Sequence, residues 1–142
     1  MYNRILLPID LNEESSWQKA LPVALSLCRN FGASLQIVTV LPDYRMPMVG
    51  SFFPSDFTDK AREALKEAQQ KFIAEQVPDD IEVHTAIVDG SPWEGIIKAS
   101  KRLEADLIVM ASHTRRKFAD YVIGPNAEHV VHHSKQSVMI VR

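Results

Sequence analysis

The chain has 142 residues, 46% hydrophobic and 24% charged, enough for one continuous core without disulfides or a structural metal and close to ordinary globular composition. Sixteen basic against eighteen acidic side chains leave a net charge of -2, so no global field draws the protein to nucleic acid or anionic lipid. The lone cysteine, Cys28, excludes an internal disulfide framework and a multi-cysteine zinc site, and suits a reducing compartment. The opening Met1-Tyr2-Asn3-Arg4-Ile5-Leu6-Leu7-Pro8 does not read as a signal peptide, and no window approaches the ~20 apolar residues of a membrane span. The expectation is one cytoplasmic domain over residues 1–142, engaging neither membrane nor nucleic acid.

Apolar runs of strand length fall at 4–9, 34–40, 81–88, 106–111 and 136–141, with amphipathic segments between them. That alternation predicts βαβ units and an α/β fold with a doubly wound parallel sheet. Four of the runs are rich in Val and Ile, as strands buried on both faces are. The run at 81–88 alternates more and is expected at an edge.

Residues 15–29 place Trp17, Leu21, Ala24, Leu25 and Cys28 at helical spacing, with Asn12 or Ser15 as N-cap and Gly32 just past the end. Pro22 inside this segment predicts a kink or a late helix start. A second helix is expected over 58–76, its apolar stripe made by Ala61, Leu65, Ala68, Phe72 and Ile73. Ser91-Pro92-Trp93-Glu94 reads as the opening of a third, with Ser as N-cap, Pro in the first turn and an acid near the positive end of the dipole. Its apolar side uses Trp93, Ile96, Ile97, Ala99 and Leu103. A last helix is expected from about 126 to 133.

The connection between Leu41 and Phe57 is long and apolar, with Met46, Pro47, Met48, Val49, Phe52, Phe53 and Pro54. It reads either as a flap packed on its own domain or as a lid or partner surface.

Open parallel sheets bind ligands beyond the carboxyl ends of their strands, where strand order reverses. Three places follow from this. Pro8-Ile9-Asp10 ends the first strand, where Asp10 either meets a ribose hydroxyl, an amine or a metal-bound nucleotide, or caps the following turn. Val40 ends the second, where its backbone could face a base. After the fourth strand, Ala111-Ser112-His113-Thr114-Arg115-Arg116 leads through a basic run to Gly124-Pro125-Asn126, a helix start whose free N–H groups attract anions. The stretch contains neither a P-loop nor a G-x-G-x-x-G pattern.

At these residues the chain resembles the universal stress protein family. The likeness is carried by Ile5-Leu6-Leu7-Pro8-Ile9-Asp10, by Gly90-Ser91-Pro92, by Ala105 to His113 and by Gly124 to Arg142, in the family's order. It implies an open, Rossmann-like sheet of five parallel strands in order 3-2-1-4-5. It also implies cytoplasmic location and homodimerisation through the last strand, here Val138, Met139, Ile140 and Val141.

Many members bind ATP through G-x2-G-x9-G-[ST]. On this sequence those positions fall on Ala111, Thr114, Gly124 and Pro125. The spacing is kept and one glycine remains. A methyl at Ala111 costs little if the backbone angles there are ordinary, and Thr114 matters more if a positive φ is required. Pro125 removes a hydroxyl and an N–H, although Asn126 and Ala127 still offer theirs. Ser112, Thr114, Arg115 and Arg116 are replacement donors.

Other residues read as structural. His129 and His133 share a helix face, but the pattern is not H-E-x-x-H and has no acidic third ligand; cations at a helix C-terminus account for them, and no metal is expected. His113 beside Ser112 lacks a nucleophile elbow. Cys28 lies on an apolar stripe. Two functions remain. One is a regulatory module binding an adenine nucleotide (ATP, ADP or AMP), with Mg2+ as a companion ion. The other is a nucleotide-free homodimer acting in the stress response through protein contacts. Neither is an enzyme, since no general base is identifiable.

Overall fold

The computed structural model describes residues 1–41, 57–112 and 124–142. The long apolar connection therefore lies outside the described residues, apart from its two ends.

Five strands form one sheet: β1 (Arg4–Ile9), β2 (Ser34–Leu41), β3 (Val83–Asp89), β4 (Leu107–Ala111) and β5 (Ser137–Val141). Their order is β3-β2-β1-β4-β5, and every neighbouring pair is parallel. The alternating run expected at an edge is the edge strand β3. Among the described residues four helices cover the sheet, α1 (Ala20–Phe31), α2 (Phe57–Gln76), α3 (Pro92–Arg102) and α4 (Pro125–His133). Side chains alternate across a strand, so Ile5, Leu7, Leu35, Ile37 and Val109 meet Ala24, Cys28 and Phe72 of α1 and α2. Leu6, Val38, Ala86 and Ile108 meet Ile96, Ala99, Ala127 and Val130 of α3 and α4 on the other face. The sheet is thus doubly wound, as the alternation of runs implied.

The first helix differs from expectation. A 3-10 turn at Glu14–Ser16 precedes α1, which starts only at Ala20. Pro22 explains the delay: it becomes the third helical residue, where an N–H has no helical partner to lose. Neither Asn12 nor Ser15 is the cap, since Lys19 holds that position without a side-chain bond. Gly32 closes the helix at φ 65 with its N–H on the Cys28 carbonyl, a left-handed conformation natural to glycine.

The stripe of α2 is also rotated from the expected one. Ala68 is exposed and Gln69 is buried instead. Its Nε2 donates to Thr39 Oγ1 at 3.1 Å, to the Ala86 carbonyl at 3.2 Å and to the Ile37 carbonyl at 3.4 Å. A buried amide is tolerable because its donors have acceptors across β2 and β3. At α3, Ser91 does occupy the N-cap, but its hydroxyl makes no cap bond and is buried without a partner.

Gly95 of α3 lies close against the sheet. A Cβ there would stand 2.8 Å from Val88 Cγ2 and 3.2 Å from Val40 Cγ2. Alanine gains about 1 kcal/mol of helix propensity, against about 1–3 kcal/mol for overpacking. Gly95→Ala is therefore expected to lower stability by about 1 kcal/mol in urea unfolding, with recovery from an accompanying Val88→Ala in a double-mutant cycle. A raised midpoint would mean that the seam has slack.

Candidate functional site

The geometry of the switch point follows from backbone parity in β1. Arg4 turns both its polar groups toward β4: its N–H donates to Asp106 Oδ1 at 3.2 Å, and its carbonyl accepts from the Asp106 N–H at 3.0 Å. Alternation then aims Leu6 and Pro8 at β4 as well. Proline has no N–H to give. Pairing of β1 with β4 stops at Leu6–Ile108, whereas pairing with β2 continues to Ile9–Thr39. The two strands at the switch point are thus unzipped at their carboxyl ends, where parallel sheets receive ligands.

Asp10 leaves this end of β1 and is exposed. Its Oδ1 accepts the Asn12 N–H at 2.9 Å, and its carbonyl accepts the Glu13 N–H at 3.0 Å. The Ser16 hydroxyl accepts the Asp10 N–H at 2.9 Å and donates to the Asp10 carbonyl at 3.1 Å. The turn-capping role read from the sequence is therefore present, and it occupies one carboxylate oxygen. Asp10 Oδ2 has no hydrogen-bond partner among the described residues. Ser16, not singled out in the sequence, holds the residue from behind.

Val40 lies at the carboxyl end of β2, opposite Val88, with its side chain against the Gly95 seam. Ile9 is buried and Pro8 is enclosed within the central strand. All parallel strands end on the same edge, so Asp10, Val40 and Ala111 share it.

Ala111 is the last residue of β4, opposite Val141. It has no positive φ; among the described residues the non-glycine in that region is Glu104. Its methyl therefore adds no backbone strain. The Ser112 N–H is committed to the Val141 carbonyl at 2.8 Å, which withdraws that donor from any phosphate and leaves the hydroxyl. His113, Thr114, Arg115 and Arg116 lie outside the described residues. Gly124 is the buried N-cap of α4, at φ -58 and ψ 154, with no side chain to cap the helix. Pro125 is the first helical residue, and the first helical bond runs from the Glu128 N–H to the Gly124 carbonyl. The N–H groups of Asn126 and Ala127 remain unbonded among the described residues, at the positive end of the dipole.

The histidines of α4 have a partner that no periodic pattern in the chain pointed to. Trp93 of α3 stacks on His129 with centroids 4.9 Å apart and meets His133 at 4.7 Å. His133 Nδ1 is 2.9 Å from the His129 carbonyl. Among the described residues, no group of three or more His, Cys, Asp or Glu could hold a metal.

An open parallel sheet unzipped at its switch point, with helices on both faces, puts the chain in the class of doubly wound α/β proteins. The chain matches the Universal stress protein family over residues 1–142 and belongs to it. A universal stress protein of Methanocaldococcus jannaschii is 26% identical, covering 100% of this chain and 83% of its own length. The solved structure of UspA from Lactobacillus plantarum superposes with a TM-score of 0.74 at 26% identity, covering 99% of this chain and 98% of that one. Two more distant structures share the fold. One is a universal stress protein in complex with cAMP, with a TM-score of 0.65 at 21% identity, covering 99% of this chain and 97% of that one. The other, from Archaeoglobus fulgidus, is in complex with dAMP, with a TM-score of 0.65 at 18% identity, covering 99% and 98%.

Cys28, read as core, is buried between α1 and the sheet. Burial pushes its thiol from the ordinary 9.0 up to about 11. The protonated form is the one the fold favours, so this contribution to stability is complete below about pH 9 and is lost as pH rises through about 11. Alkylation at pH 8 should be negligible in the native protein and complete in urea, read by mass spectrometry. Fast native labelling would contradict the assignment.

Proposed function

We propose that the protein is a regulatory module that binds an adenine nucleotide at the carboxyl ends of β1, β2 and β4, without turning it over as its function. One observation carries this reading: β1 and β4 part before their carboxyl ends, and α4, which follows β4, starts at that same edge with the N–H groups of Asn126 and Ala127 unbonded among the described residues. Anions are favoured at such a helix end. The complexes of related universal stress proteins with cAMP and dAMP support the same ligand class. In this reading Asp10 Oδ2 takes a ribose hydroxyl, the Val40 end of β2 faces the base, and Asn126, Ala127 and the Ser112 hydroxyl take phosphate oxygens. His113, Thr114, Arg115 and Arg116 supply further phosphate contacts, and Mg2+ accompanies a triphosphate. A cytoplasmic protein of this kind reports nucleotide level to a partner.

Nucleotide-stripped protein should titrate saturably with fluorescent ATP, and Asp10→Ala should weaken binding by about tenfold through loss of one charge-assisted hydrogen bond. Pro125→Ser, which restores a hydroxyl and an N–H at the phosphate end, should tighten binding severalfold. Absence of saturable binding at millimolar nucleotide would overturn the reading.

The nucleotide-free reading keeps one specific support, the edge strand β5. Among the described residues it pairs only with β4, and after Ser137 it is apolar, with Met139 37% exposed and Val138, Ile140 and Val141 partly buried. Unpaired apolar edges invite a second strand, and the proposed partner is a second copy. Val138 and Ile140 also pack on the α3–α4 face, so Met139 is the cleaner probe. Met139→Asp should convert a dimer to monomer in sedimentation velocity without loss of fold. An unchanged dimer would put the interface elsewhere.

A further inference from the structure

The outer side of α3 carries an open groove of about 560 Å³ lined by Trp93, Glu94, Ile97, Lys98, Lys101 and Arg102. Gly95, Ile96, Ala99 and Ser100 face the sheet, so the lining residues occupy the helix's other side at i, i+3, i+4 and i+7 spacing, the pattern on which a second segment packs. Trp93 and Ile97 are half-buried and form the floor, while Glu94, Lys98, Lys101 and Arg102 are exposed and form a rim of three cations and one carboxylate. Among the described residues, none of the three cations is in an ion pair or hydrogen bond.

The indole is held ready from behind. Trp93 lies 4.9 Å from His129 and 4.7 Å from His133, yet the two imidazoles are only 5.9 Å apart. A sandwich would separate them by nearly the sum of the first two distances. Both rings therefore back one side of the indole, and neither lines the groove. The helix dipole explains cations at Lys101 and Arg102. It explains neither Lys98 nor a tryptophan fixed in place with one side outward.

We propose that this groove docks an acidic amphipathic segment of a partner protein, its apolar side chains on Trp93 and Ile97 and its carboxylates on Lys98, Lys101 and Arg102. Trp and Arg are the residues most often dominant in such contacts, and Arg offers a fork that matches a carboxylate. The groove is too open to enclose a small ligand, and three cations on a chain of net charge -2 are few for nucleic acid or a lipid surface. The site is separate from the nucleotide cleft and does not depend on that reading.

The probe is a capped peptide with Leu and Phe on one helical face and Glu on the other, compared with the same peptide carrying Lys for Glu. Amide-shift mapping by NMR should confine the acidic peptide's effects to residues 93–102 and their α4 neighbours, with binding that weakens as salt rises. The double reversal Lys98→Glu with Arg102→Glu should weaken it at least about tenfold, and the milder Lys101→Gln should do so by a smaller factor, both with unchanged circular dichroism. The proposal fails if the lysine peptide binds as well or the reversal variant keeps its affinity. It fails equally if shifts map elsewhere, or if polyphosphate or phosphatidylserine vesicles bind this face while the acidic peptide does not.

Discussion

Strand β1 must satisfy neighbours on both sides from one alternating set of backbone donors, and on the β4 side that set ends at Pro8. The rest of the site follows. Leu6 completes the pairing with Ile108, and beyond it β1 is held by β2 alone. Asp106 secures the opposite end, accepting the N–H groups of Asn3 and Arg4. The strand is therefore tied firmly to β4 at its start and released at its finish. A proline that looks out of place in a central strand separates the sheet at the edge where parallel sheets in general receive ligands.

The two helical layers are fitted to the sheet by few devices. On one face Gln69 bridges Thr39 and Ala86, joining α2 to both β2 and β3 through one buried amide. On the other, Gly95 lets α3 settle against Val40 and Val88, and the Trp93–His129–His133 cluster holds α3 to α4. Seating α3 at Val40 links that layer to the carboxyl end of β2.

The altered signature loop reads differently once its described residues are in place. Ala111 lies in regular strand geometry, so its methyl is compatible with the backbone. Ser112 is costlier, since its N–H serves β5. Pro125 occupies the first helical position, where an N–H is missed least by the fold and most by a phosphate. Asn126 and Ala127 keep N–H groups that are unbonded among the described residues, at the positive end of the helix dipole.

By itself the sequence determined five strands, four helices, parallel pairing and the edge position of β3, because alternating apolar runs and helical stripes are local patterns that burial on two faces enforces. Family resemblance supplied the strand order and directed attention to Asp10, Val40 and Gly124 at the carboxyl ends. Only the tertiary structure decided the rest. It rotated α2 to bury Gln69 instead of Ala68, since carbonyls and a hydroxyl on two different strands satisfy that amide. It spent the Ser112 N–H on a strand 29 residues away, and it brought Trp93 to His129 across a separation of 36 residues. Partners in space that are distant in the chain leave no periodic mark. Even Pro8, plain in the sequence, acquired its meaning only when Arg4 showed which neighbour the missing N–H would have faced.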